Sequence, residues 1–138
     1  LEHIKDGERV IASMMGLLDA YDYDDLRDMA AYYAAQKVKV GQADKSNIAL
    51  GEKIYRAGNL DSGVPACTGC HGAKGKGIES AGYPMLSGQK AEYVVTSLVA
   101  YQNGQRGHDS KGKSMQGIAA RLTLEEIQSV ANYVSVLY

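Results

Sequence analysis

The chain has neither phenylalanine nor tryptophan, and all ten of its aromatic residues are tyrosines. Cysteine is nearly absent too, with two among 138 residues. Two cysteines are too few for a disulfide framework, and a chain of this length buries enough surface to need none. No run approaches the roughly 18 apolar residues of a membrane-spanning helix. No charged-then-apolar leader opens the chain, so an exported form would already have shed it. Neither sign of charge dominates. The net charge of −1 and a pI of about 6.3 withhold electrostatic support from general nucleic-acid binding. What remains is 45% hydrophobic and 22% charged, the ordinary mix of a globular protein with one domain, or one domain and a part of another.

The two cysteines stand together in Cys67-Thr68-Gly69-Cys70-His71. C-x-x-C-H reads as a site of c-type haem attachment. Two thiols add to the two porphyrin vinyl groups and become thioethers, and the residue that follows is held under the iron, where an imidazole nitrogen can coordinate it. Rival readings fare worse. A thioredoxin-like pair needs a βαβ setting, and no strand pattern is present. Zinc wants four ligands, yet there is no second cysteine pair, and His3 and His108 lie far off. An iron–sulfur cluster lacks two thiolates. A short structural disulfide would leave His71 unexplained.

A second axial ligand is then required, or an open site. His3 and His108 read as solvated surface. Met115 is better placed, within the glycine-rich stretch from Gly104 to Gly117, read as a loop that closes over a flat cofactor before the last helix. A thioether favours ferrous iron and raises the reduction potential. Met85, in Tyr83-Pro84-Met85-Leu86, is the rival and reads more simply as packing or surface.

The pattern around these residues is helical. Asn47–Ala57 forms a helix with Ile48, Gly51, Ile54 and Tyr55 on one side, stopped by Gly58. Residues 72–88, with Gly72, Gly75, Gly77, Gly82, Pro84 and Gly88, form irregular loop. Gln89–Gln102 is a second helix, carrying Val94, Leu98 and Tyr101 at helical spacing and ending at Asn103-Gly104. The last helix starts at Thr123, where Thr123-Leu124-Glu125-Glu126 is a capping box. Leu124, Ile127, Val130, Ala131, Val134 and Leu137 form its buried stripe.

From residue 46 to 138 this pattern resembles class I cytochrome c. The resemblance rests on Gly51, Tyr55, Cys67, Cys70, His71, Pro84, Leu86, Met115 and Tyr133. It implies an all-α fold in which the first and last helices of the domain cross closely around a covalently bound haem, Gly51 admitting Tyr133. It also implies that the Pro84 carbonyl accepts a hydrogen bond from the non-coordinating nitrogen of His71, that Leu86 lies in the haem surroundings, and that His71 and Met115 are the axial ligands. Gly-Glu-Lys-Ile-Tyr-Arg at 51–56, Tyr-Pro-Met-Leu-Ser-Gly-Gln at 83–89 and Met-Gln-Gly-Ile-Ala-Ala-Arg-Leu-Thr at 115–123 resemble the second half of the two-haem cytochrome c4 family.

An internal repeat agrees with that resemblance. At one constant spacing Met14 matches Met115, Gly16 matches Gly117, Leu26 matches Ile127, Ala30 matches Ala131 and Tyr32 matches Tyr133. Residues 1–37 therefore read as the C-terminal remnant of a first cytochrome domain, 38–46 as a linker, and 47–138 as a complete haem domain. No C-x-x-C-H precedes Met14, so Met14 would be axial only to a first haem that this chain does not attach. A cleaved or engineered fragment, a partner chain supplying the rest, and a natural one-haem form all account for this. The Leu26–Ala35 helix, with Leu26, Met29, Ala30 and Tyr33 on one face, would then expose an apolar patch, favouring self-association through residues 1–36 or poor order there.

The first 45 residues carry excess acid and the remainder excess base. Lys74 and Lys76 follow the haem motif and Lys111 and Lys113 precede Met115, so the four would ring a haem edge and suit brief docking to an acidic redox partner. With both axial positions filled, the expected function is one-electron transfer without bond chemistry. The resemblance implies an extracytoplasmic, periplasmic setting in a Gram-negative bacterium. It implies a quinol-oxidising complex or another cytochrome as donor and a terminal oxidase as acceptor, with peripheral membrane association possible. The alternatives are a haem subunit or docking module of a larger dehydrogenase, and a haem peroxidase or sensor with a labile sixth ligand.

Overall fold

A computed structural model describes residues 1–7, 10–37, 42–43, 47–107 and 109–138. The expected linker over 38–46 lies mostly outside these residues, and His108 lies outside them as well. The chain divides into two compact units, Leu1–Lys37 and Val38–Tyr138. Among the described residues there is no strand, only two isolated antiparallel bridges, Asn59–Val64 and Ile78–Tyr83. The helices are α1 (Glu2–Lys5), α2 (Tyr23–Ala34), α3 (Ile48–Ala57), α4 (Thr68–His71), α5 (Ala91–Gln102), α6 (Ser110–Ala119) and α7 (Leu124–Val136), with 3-10 turns at Ala12–Met14 and Glu79–Ala81. None is long and apolar enough to cross a membrane.

In the first unit α2 starts earlier than its apolar spacing suggests. Asp22 caps it and exchanges hydrogen bonds with Asp25, whose N–H donates to Asp22 Oδ1 at 2.8 Å. The short α1 is held by polar contacts: Lys5 Nζ donates to the carbonyl of Leu18 at 3.1 Å and to that of Tyr21, and the Tyr23 hydroxyl donates to Asp6 at 2.7 Å. Of the face expected to lie bare, Leu26 is buried and Met29 half-buried, while Tyr33 is exposed. The apolar patch is therefore smaller than the spacing suggests, and its exposed part consists chiefly of Tyr32 and Tyr33, ring edge to ring face.

The second unit is organised by one crossing. A Cβ placed on Gly51 of α3 would lie 2.0 Å from the Ser129 carbonyl oxygen and 2.8 Å from Tyr133 Cβ on α7. Only a hydrogen atom fits there, so the two backbones touch and Tyr55 and Tyr133 meet at 5.6 Å between ring centroids. Ile54 and Tyr55 from α3, Val94 and Leu98 from α5, and Ile127 and Val134 from α7 share one buried core. The α7 stripe is as expected except at its start. Leu124 is 60% exposed, because it is the first residue of the helix, ahead of the turn that meets α3 and α5.

The start of α7 is fixed by the capping box, with Thr123 N–H donating to Glu126 Oε2 at 2.8 Å and Glu126 N–H donating to Thr123 Oγ1 at 3.2 Å. Asn59 Nδ2 donates to the other Glu126 oxygen at 2.7 Å, tying the loop after α3 to α7. Burial alone would raise the Glu126 pKa, but these donors hold it below the ordinary carboxylate value.

Gly51→Ala is expected to destabilise the protein by about 3 kcal/mol or more, since backbone rather than a movable side chain blocks the new methyl group; the shift in urea midpoint at constant slope measures this. Because the folded-state pKa of Glu126 is depressed, its contribution is present at neutral pH and is lost as pH falls below roughly 4.3, the ordinary glutamate value. Stability measured by denaturant titration from pH 6 to pH 3 is expected to fall less steeply in Glu126→Gln than in the parent.

Candidate haem site

Cys67, Cys70 and His71 are gathered by a single helical turn. Cys67 caps α4, and its carbonyl accepts the N–H groups of Cys70 at 3.3 Å and His71 at 2.9 Å. Positions three and four apart on a turn face the same way, so both thiols and the imidazole project from one side. Gly72 ends the turn with φ +79°, and its carbonyl accepts the Tyr55 hydroxyl at 2.7 Å. Burial pushes that hydroxyl up to about 12, so it donates as the neutral phenol. Burial also pushes the Cys67 thiol up to about 11, with Cys70 adding to the rise. That is the opposite of the acidic thiol on which a dithiol oxidoreductase depends.

His71 is buried, and its Nδ1 lies 2.9 Å from the Pro84 carbonyl oxygen. A carbonyl can only accept, so Nδ1 carries a proton and Nε2 is the nitrogen left to meet a metal. The Tyr83 and His71 rings lie at a steep angle to one another, 6.3 Å between centroids.

The loop over 72–88 exists to bring Pro84 to this position. Gly77 N–H donates to the His71 carbonyl at 2.9 Å, and the Gly75 carbonyl accepts Leu86 N–H at 2.7 Å and Ser87 N–H at 3.0 Å. Gly77, at φ +75°, is folded so tightly that a Cβ would lie 2.5 Å from the Tyr83 carbonyl oxygen and 2.7 Å from the carbonyl carbon of Pro84. The far end of the loop is tied to α7: Ser87 Oγ donates to the Leu137 carbonyl at 2.9 Å, and Gly88 N–H to that of Val134 at 3.1 Å.

Met115 lies on a helix, not in the open loop expected. Asp109 caps α6, its Oδ1 accepting Gly112 N–H at 2.6 Å, and this cap, with the packing of Met115, Ile118 and Ala119 on the core, offsets the weak helix propensity of Gly112 and Gly117. Met115 is half-buried and packs on the same core as Cys67 and Leu86, whereas Met85 is 45% exposed. Lys74, Lys76, Lys111 and Lys113 are all exposed, and Lys111 Nζ lies 5.9 Å from the centroid of the Tyr83 ring, joining α6 to the loop that carries Pro84. Met14 belongs to the first unit, half-buried at the end of its 3-10 turn beside a cleft of about 210 Å³ lined by Ile4, Val10 and Leu18. Sequence reasoning did not assign Tyr55 and Ser87 their hydrogen bonds, and no local signal announces partners so distant in the chain.

Among the described residues no three His, Cys, Asp or Glu side chains are placed to share a bare metal ion. The donors fit a haem instead. Two thiols on one side of a turn match the two vinyl groups of a porphyrin, and a single imidazole, oriented through its other nitrogen, matches one axial position.

Gly77→Ala is expected to destabilise by about 2–4 kcal/mol, from left-handed backbone strain and the clash at Pro84. It is also expected to speed solvent exchange of the His71 Nδ1 proton, followed by nitrogen-edited NMR of the reduced protein. Unchanged exchange would show that Gly77 does not position the Pro84 carbonyl.

Comparison with known proteins agrees with this geometry. Residues 48–137 match the sequence pattern of the family described as cytochrome c. Cytochrome c4 of Pseudomonas aeruginosa is 44% identical over 138 residues, a match that covers 100% of this chain and 69% of that protein. A thiosulfate dehydrogenase electron acceptor of Thiomonas intermedia is 30% identical, covering 98% of this chain and 63% of its own length. The crystal structure of reduced recombinant cytochrome c4 from Pseudomonas stutzeri superposes with a TM-score of 0.92 at 39% identity, over 99% of this chain and 77% of that one. The chain thus spans roughly two thirds of the curated relatives' length. Crossed α3 and α7, a C-x-x-C-H turn and an imidazole held on a proline carbonyl all coincide with that match, and the chain belongs to the class I cytochrome c family.

Proposed function

We propose that the chain is a one-electron carrier. Haem c, the group bound covalently across this family, would be held through Cys67 and Cys70, with His71 Nε2 and Met115 Sδ as the donors available to its iron. When bound, haem supplies a ferric–ferrous couple. The observation that carries the reading is the contact between His71 Nδ1 and the Pro84 carbonyl. It fixes the tautomer that makes Nε2 a donor and leaves the imidazole strongly basic toward a metal.

The residues then divide the work. Cys67 and Cys70 tether, His71 coordinates, and Pro84 and Leu86 orient and enclose. Met115, a soft neutral donor, would favour the ferrous form and would compete with any substrate for the iron. The protein is on this reading not an enzyme. Its exposed lysines at 74, 76, 111 and 113 suit brief docking to acidic partners: a quinol-oxidising complex or another cytochrome as donor, a terminal oxidase as acceptor. The setting is the periplasm of a Gram-negative bacterium. Residues 1–37 are the C-terminal part of a first cytochrome domain, Met14 being the counterpart of Met115. A second reading, a haem module serving a dehydrogenase, draws on the relative named as a thiosulfate dehydrogenase electron acceptor.

Met115→Ala is expected to lower the reduction potential by on the order of 100 mV, within the ~0.8 V range that axial ligands command. It is also expected to admit carbon monoxide to the reduced iron, which the parent excludes. Equal carbon monoxide binding by parent and variant would remove Met115 from the iron and reopen the peroxidase or sensor reading.

A further inference from the structure

We propose that Arg106 is a positioning residue for Met115, holding α6 at the distance from α5 that the bond from sulfur to iron requires; this rests on Met115 being the axial ligand. The need for such a device follows from α6 itself. Its buried residues are Gly112 and Ala119, which have almost no side chain to anchor. Met115 and Ile118 are only half-buried. Ala119 lies in the shared core and Met115 and Ile118 pack against it, but side chains this few and small leave the exact register of the helix to its polar contacts.

Those contacts converge on Arg106. Tyr93, Ser97 and Tyr101 follow one another at intervals of one turn along α5 and form a slot. The Arg106 guanidinium carbon lies 5.7 Å from the centroid of the Tyr93 ring and 5.1 Å from that of Tyr101. Its Nη1 donates to Ser97 Oγ at 2.9 Å and to the Tyr93 hydroxyl at 3.2 Å. Burial works against the charge, yet the tyrosines hold the guanidinium above its ordinary pKa. The backbone of the same residue reaches both helices. Arg106 N–H donates to the Ala100 carbonyl on α5 at 3.2 Å. Its carbonyl accepts Gln116 Nε2 from α6 at 2.8 Å, and the Gly107 carbonyl accepts that same amide at 3.0 Å.

Gln116 is the residue next to Met115, so the clamp acts one residue away from the ligand. Beneath it the loop backbone lies directly on the helix backbone: a Cβ on Gly107 would stand 2.6 Å from Gly112 Cα. The other end of α6 is held from α5 as well, with Gln102 Nε2 donating to the Ala119 carbonyl at 3.1 Å and the Leu122 carbonyl at 3.0 Å. Because α5 is anchored in the core through Val94 and Leu98, it serves as the fixed member. Arg106 transmits its position to the first turns of α6.

The test uses the ferric holoprotein and free imidazole as a competitor for the methionine position. Arg106→Ala is expected to raise imidazole affinity by about tenfold or more, the scale of a partly buried cation–ring contact with its hydrogen bonds. It is also expected to weaken the far-red sulfur-to-iron charge-transfer band. Gln116→Ala acts in the same direction, and Arg106→Lys, which keeps the charge between the rings, recovers part of the parent's resistance. Tyr101→Phe retains the ring and behaves as the parent, whereas Tyr101→Leu follows Arg106→Ala.

Arg121 supplies the control, since its Nη1 donates to the Gly63 carbonyl at 2.8 Å, away from the slot. Arg121→Ala is expected to leave band and affinity at parental values even where it lowers the melting temperature. Parental imidazole affinity and band intensity in Arg106→Ala would overturn the proposal, whatever the result in Gln116→Ala. If Met115→Ala itself leaves band and affinity unchanged, it is the sulfur-ligand reading that fails, and the role of Arg106 falls with it.

Discussion

The hydrogen bond between His71 Nδ1 and the Pro84 carbonyl is the contact on which the arrangement of the candidate site depends. An imidazole has two nitrogens, and only when one is committed does the other become a donor of fixed direction. The acceptor comes from a loop rather than from a helix, so the loop must be held to a fraction of an ångström. Glycines at 75 and 77 allow the chain to fold on itself, and the bonds from Ser87 and Gly88 anchor the result on α7. The helix is thus a structural support for a carbonyl that belongs to a different segment.

Behind that support stands the contact of α3 with α7. Gly51 brings Ser129 and Tyr133 against the α3 backbone, and Tyr55, one turn later, sends its hydroxyl to the Gly72 carbonyl beside His71. A single buried tyrosine therefore spans from the helix crossing to the haem motif. With no phenylalanine or tryptophan in the chain, each aromatic side chain in the core brings a hydroxyl that must find a partner. At Tyr55 that requirement is met next to the ligand turn.

How legible this was in the sequence depends on the range of the interaction. The capping box at Thr123, the stop at Gly58 and the turn of Cys67 to His71 are local, and their residue types alone announce them. The closeness of Gly51 to Tyr133 and of His71 to Pro84 was read through family resemblance, because no spacing rule links residues so far apart. The helix of Met115 reads as loop in the sequence, because counting glycines weighs propensity alone and leaves out the Asp109 cap and the packing on the core. Leu124 departs from expectation for a related reason: periodicity places it on the apolar stripe but does not say where along the helix the neighbours begin. The slot of Tyr93, Ser97 and Tyr101 left no trace that composition or period could show, since tyrosines at helical spacing read equally as core.

The two sides of the site are built from unlike materials. The imidazole side is braced by glycine-tight backbone and by ties to a helix buried along most of its length. The methionine side leans on amide and guanidinium contacts around a helix whose buried positions are a glycine and an alanine. A change on the methionine side therefore removes polar contacts one at a time, whereas a change on the imidazole side meets packed backbone that has no small adjustment open to it.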